Sequence, residues 1–148
     1  MRRSQVLAGL LSLALAASIA VGCQKKAEAP PPVATTPAPA PFKVTGVELG
    51  KSLTAERKVA SPAKVFGTRD TIYAVVASEG AAKNTVVKAL WTYRDTSLVT
   101  VDSLVVAPTG PAWTEFHISK ATRWPVGMYA VEVSVDGAPV RREVFEIK

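Results

Sequence analysis

The 148-residue chain has room for one ordinary domain once targeting and linker segments are set aside, so no second core is expected. Its formal charge of +6 falls to +4 without Arg2 and Arg3, and the remaining Lys and Arg are scattered. No basic block or aromatic-basic repeat tracks a phosphate backbone, which argues against nucleic-acid binding. A single cysteine excludes an intramolecular disulfide, so the domain must hold together by its core alone.

Residues 1–22 have the parts of an export signal. Arg2 and Arg3 form a positive start, Val6 to Val21 an apolar stretch, and small residues precede Cys23. The apolar run is diluted by Ser12 and Ser18 and is short of the roughly 20 residues that a spanning helix prefers. Ala20-Val21-Gly22-Cys23 resembles the lipobox of bacterial lipoprotein precursors, with Gly22 and Cys23 at its most demanding positions and Ala20 where that family usually has Leu. The resemblance implies cleavage between Gly22 and Cys23 and a diacylglyceryl group on the thiol. A further acyl chain such as palmitate on the freed amine would complete a durable lipid anchor in the cell envelope. The same resemblance favours the outer membrane facing the periplasm over the inner membrane, because Gln24 stands where Asp commonly signals inner-membrane retention.

Residues 23–41 then form an Ala/Pro-rich tether carrying the lipidated Cys23. Pro30, Pro31, Pro32, Pro37, Pro39 and Pro41 remove backbone donors and bias their predecessors to extended geometry. A disordered, semi-rigid spacer is expected, reaching up to roughly 50 Å from the bilayer.

From Phe42 to Lys148 the dominant period is two, which predicts strands. In chain order they are Lys43–Leu49, Thr71–Ala77, Val86–Tyr93, Leu98–Val106, Trp113–Ser119, Tyr129–Val135 and Val140–Ile147. Val87, Ala89, Trp91 and Tyr93 share one face of the third, and Thr114, Phe116 and Ile118 one face of the fifth. Tyr129, Val131, Val133 and Val135 line the sixth, leaving Ala130, Glu132 and Ser134 outward, which reads as half-buried. Asp136-Gly137 supplies a turn tolerant of positive φ before the last strand, which puts Phe145 and Ile147 inward. Asp102 and Ser103 leave open whether 98–106 is one bent strand or two short ones.

Seven short strands with Gly-, Pro- and Asp-rich turns predict an all-β, two-sheet antiparallel sandwich. Trp91 on the third strand and Gly127-Met128-Tyr129 opening the sixth resemble the core tryptophan and tyrosine corner of the immunoglobulin-like fold, and Trp-Pro-Val-Gly-Met-Tyr is similar to the approach to the last hairpin in many bacterial envelope domains. Val131 stands where the second antibody-type cysteine would fall. The expected core is Trp91, Tyr129, Val131, Val133 and Phe145. Such a likeness implies architecture and says little about ligand.

Chemistry-bearing groups are few. His117 is the only histidine; with Glu115 it shares an outward face, a pair that could grip a divalent ion weakly but lacks a third ligand and reads as two solvated residues. Arg69-Asp70 and Arg94-Asp95 sit at strand ends, where local salt links and turn hydrogen bonds are expected. No glycine-rich phosphate cradle is present, and no cofactor, metal or small-molecule substrate is expected. Strand parity groups the connections near Arg69, Arg94 and Arg123-Trp124 at one end of the sandwich, and those near Gly80, Thr109-Gly110 and Asp136-Gly137 at the other. An exposed Trp124 would make the first a candidate interaction end; the alternative is Trp124 plugging the core. The leading expectation is a non-enzymatic binding or structural module with a protein or glycan partner. The runner-up is an accessory subunit of an envelope transport or assembly complex, and an enzyme is the remote third.

Overall fold

The computed structural model describes residues 38–148. The leader, the Gly22/Cys23 cleavage and lipidation position and most of the tether lie outside the described residues.

Eight strands run in chain order as β1 (Lys43–Gly50), β2 (Val65–Phe66), β3 (Ile72–Glu79), β4 (Thr85–Tyr93), β5 (Ser97–Val106), β6 (Ala112–Ile118), β7 (Gly127–Val135) and β8 (Ala138–Ile147). They form a two-sheet sandwich: a three-stranded sheet in the order β1-β3-β6 and a five-stranded sheet in the order β2-β8-β7-β4-β5. Every pair is antiparallel except the short β2–β8 pair, which is parallel. The seven expected strands are present. The eighth, β2, carries only two residues, too few to show a period; it pairs beside β8 at the sheet edge, where Phe66 is 1% exposed.

Residues 97–106 form one strand whose pairing with β4 slips between Trp91 and Thr92, leaving Val99 as an extra, bulged residue. Asp102 and Ser103 therefore stay in the ladder, opposite Ala89 and Lys88. In β7 the inward residues Tyr129, Val131 and Val133 are buried as their period requires. The outward face departs from the half-buried expectation: Ala130 and Ser134 are buried too. β7 lies between β4 and β8, so small side chains there sit below their taller neighbours. Asp136 (φ 49°) and Gly137 (φ 87°) make the expected two-residue turn, closing the β7–β8 hairpin between Val135 and Ala138.

An aromatic cluster fills the lower core. Phe145 stacks on Tyr129 at 5.5 Å and meets Trp91 (6.1 Å) and Phe66 (5.4 Å) edge-on, geometries that suit ring quadrupoles. Trp91 is fully buried, yet its indole N–H finds no acceptor. The Tyr129 hydroxyl donates to the Pro125 carbonyl at 2.9 Å, the hydrogen bond that defines a tyrosine corner. Burial pushes the Tyr129 phenol above its usual pKa and so keeps it a donor.

Candidate functional site

The two sheets close on one flank and part on the other. β5 pairs only with β4, and β6 pairs only with β3, so each presents an unpaired edge. Between the first half of β5 and the end of β6 lies a cleft of about 590 Å³. Leu98, Val99, Thr100 and Asp102 form one wall, and His117, Ser119 and Lys120 the other, with Trp124, Tyr93 and Tyr129 at its base. This volume falls within the range of small-molecule pockets.

The base is held by the segment entering β7. The Trp124 backbone N–H donates to the Thr68 carbonyl (2.8 Å) and its indole N–H to the Asp70 carbonyl (3.0 Å), tying the 119–126 connection to the β2–β3 turn. The Tyr93 hydroxyl donates to Val126 O at 3.1 Å. Gly127 sits between these anchors at φ +144°, and a Cβ there would lie 3.0 Å from the Tyr93 ring. Only glycine lets β7 begin against the tyrosine without displacing it.

The β2–β3, β4–β5 and β6–β7 connections meet at this end, as the Trp124–Thr68 and Arg94 N–H to Met128 carbonyl bonds (2.9 Å) record. Arg69, Arg94 and Arg123 are exposed here. Trp124 is not an exposed anchor among them: it is 7% exposed, packs edge-on against Tyr129 at 6.1 Å and closes the core. A tryptophan with both N–H groups bonded to the adjoining turn has no freedom to face outward. Arg94 lies over the Tyr93 ring at 5.0 Å, and Lys120 Nζ is 5.8 Å from the Trp124 ring centre.

The neighbouring arginines are not the partners of the two aspartates. Asp70 accepts from the Gly67 N–H (2.7 Å) and pairs with Lys51 (2.7 Å); the Lys51 contact and then that backbone bond hold its carboxyl below the usual range. Asp95 pairs with Arg142 of β8. Arg94 and Asp95 both adopt positive φ (50° and 63°), so the pair forms the β4–β5 turn itself. The turn hydrogen bond expected of Asp70 is present; the salt links come from residues distant in sequence.

His117 Nδ1 lies 3.4 Å from a Glu115 carboxylate oxygen, and its ring packs against Tyr73 at 5.5 Å. Among the described residues no cluster of three or more His, Cys, Asp or Glu side chains could hold a metal ion. No helix among them is long and apolar enough to cross a membrane.

No family model and no curated protein sequence matches the chain. Partial likenesses exist among solved structures. A β-glucosidase from Listeria innocua in complex with glucose is 9% identical at a TM-score of 0.46, covering 72% of this chain and 16% of that one. A Pseudomonas fluorescens alkylpurine DNA glycosylase, AlkC, bound to DNA containing an abasic site analog, is 18% identical at 0.46, over 72% of this chain and 30% of that one. The C-terminal domain of wzt is 9% identical at 0.45, covering 72% of this chain and 73% of its own. The chain thus spans about a sixth of the β-glucosidase and under a third of the glycosylase. At these values none of the three bears on ligand or activity.

Proposed function

We propose that this chain is an envelope lipoprotein, fastened to a bilayer by lipid on Cys23, whose sandwich is a non-enzymatic module that receives an extended segment of a protein partner in the cleft between β5 and β6. The observation that carries this reading is the position of the cleft. Residues 38–41 join the domain at the opposite end, where Ala40 accepts from the Ala81 N–H (2.8 Å) and Pro41 bridges Ala81. The cleft therefore lies at the end of the described domain far from the point where the tether joins it. The free edges of β5 and β6 offer backbone donors and acceptors of the kind an added strand uses, and alternate side chains of such a strand would meet the aromatic base. Asp102, His117 and Lys120 on the rim supply polar selectivity.

Two measurements in the native host test the reading. Cys23→Ser is expected to lose lipid labelling and leave the membrane fraction; retention in the membrane with Cys23 unacylated refutes the anchor. A photo-cross-linking residue at Ser119, in the cleft, is expected to capture one defined protein, while the same residue at Lys83, beside the tether, does not. Equal capture from both sites refutes the assignment of the cleft. Recovery of one constant large assembly would identify that partner as part of an envelope machine.

A further inference from the structure

The two outer faces of the sandwich are treated very differently by the chain. Over the three-stranded sheet the 51–64 segment folds back, with bridges Gly50–Pro62 and Leu53–Val59. It lays Val59 (7% exposed) against Gly50 and Lys58 over the Trp113 ring at 4.3 Å. Val75, which faces outward from β3, is only 2% exposed.

Among the described residues no segment covers the five-stranded sheet in this way. Its register places Val86 opposite Val105, Leu90 opposite Val101, Thr92 opposite Leu98, and Ala130 opposite Val144, all outward. Val105 is 68% exposed, Leu98 64%, Met128 50% and Val101 45%. Counting Val65 on β2, Val86 and Val144, seven of the eleven exposed large hydrophobic side chains among the described residues lie on this one face. Large apolar side chains concentrated on one exposed face in this way are the composition of an interaction site. The sheet also ends in β5, ten residues long with Asp102 as its single charge and neither Lys nor Pro to discourage pairing.

We infer that this face is covered by a second copy of the chain, the five-stranded sheets packing face to face in a two-fold dimer. Charge selects the occupant. The strands of this face carry Lys88 and Arg142 against Glu132 and Glu146, two of each sign, on a chain whose formal net charge without Arg2 and Arg3 is +4. A balanced face meets its own copy without net repulsion, whereas a basic or acidic partner finds no complementary field there. Area is sufficient: four strands about 4.8 Å apart and roughly eight residues long give a footprint of roughly 500 Å² per copy, so on the order of 1,000 Å² in total, where specific interfaces begin. Of the exposed apolar residues on this face only Leu98 also lines the cleft, and Val101 and Val105 do not, so variants at those two positions test the dimer apart from the proposed partner.

The test is sedimentation equilibrium of the full lipidated chain in density-matched detergent, across protein concentrations, for wild type, Val101→Glu with Val105→Glu, and Glu115→Lys on the opposite sheet. A concentration-dependent dimer in wild type and Glu115→Lys is expected, with at least a tenfold weaker association in the double variant. Circular dichroism and the urea midpoint show whether the double variant is folded. If it is not, Val101→Cys in the otherwise wild-type chain is expected to give a disulfide-linked homodimer on mild oxidation, and Glu115→Cys none. A wild-type monomer at every concentration, a dimer that Val101 and Val105 leave unchanged, or cross-links from Val101 only to a different protein overturns the inference.

Discussion

Replacing Trp91 separates two opposing effects at the centre of the core. The side chain is fully buried, and its ring meets Phe145 edge-on at 6.1 Å, so Trp91→Ala removes a large apolar body and leaves a cavity. A loss of about 3–5 kcal/mol is expected. Trp91→Phe takes away only part of the bicycle, roughly 2 kcal/mol of apolar burial at about 0.8 kcal/mol per methylene equivalent. It also removes an indole N–H that is buried without an acceptor. Leaving such a group unpaired costs about 1–3 kcal/mol, so the two terms largely cancel and Trp91→Phe is expected within about 1 kcal/mol of wild type. Urea unfolding followed by far-ultraviolet circular dichroism reads both variants. With a slope of about 1–2 kcal/mol per molar, the alanine variant moves its midpoint by roughly 1.5 M or more and the phenylalanine variant by at most about 1 M. A phenylalanine variant as damaged as the alanine one would show that the indole N–H is bonded in the folded chain, and the reasoning would fail.

Two further substitutions probe the segment at the base of the cleft. Gly127→Ala must hold an L-residue at φ +144° with its methyl against the Tyr93 ring. A loss of about 2 kcal/mol is expected, read as a lowered melting temperature; a neutral result would mean that Tyr93 is free to move. Asp70 has a folded pKa below its ordinary 3.8, so its contribution is present above that value and lost as pH falls through the folded pKa. Urea midpoints measured downward from pH ~6 are expected to fall more steeply for wild type than for Asp70→Asn. Parallel curves would remove the Lys51 and Gly67 contacts from the stability of this end.

Strands β4, β7 and β8 were legible because their inward residues alternate, and the core residues Trp91, Tyr129, Val131, Val133 and Phe145 all lie where that alternation puts them, each at most 2% exposed. The Asp136-Gly137 turn was legible for a local reason as well, since both residues tolerate the positive φ observed there. The cleft was not legible. It arises where the edges of β5 and β6 part, and strands 97–106 and 112–118 carry no mark of which neighbours they lack. Trp124 could be read either way from its position, because Trp-Pro at a corner fits both an anchor and a plug; the carbonyls of Thr68 and Asp70, more than fifty residues earlier, determine its direction.

Period two and turn chemistry are local properties, and they determined that the described chain is a two-sheet sandwich and that Trp91, Tyr129, Val131, Val133 and Phe145 lie in its core. Tertiary structure decided what depends on distant partners: the two-residue β2 strand beside β8, Lys51 on Asp70, Arg142 on Asp95, and the apolar outer face of the five-stranded sheet that no described residue covers. In β5 the residues Leu98, Val99, Val101, Leu104 and Val105 are apolar on both faces, so alternation assigns neither face to the interior. Only the pairing of β5 with β4, in register with a buried Trp91, decides which face turns inward and which lies on the outside of the sandwich.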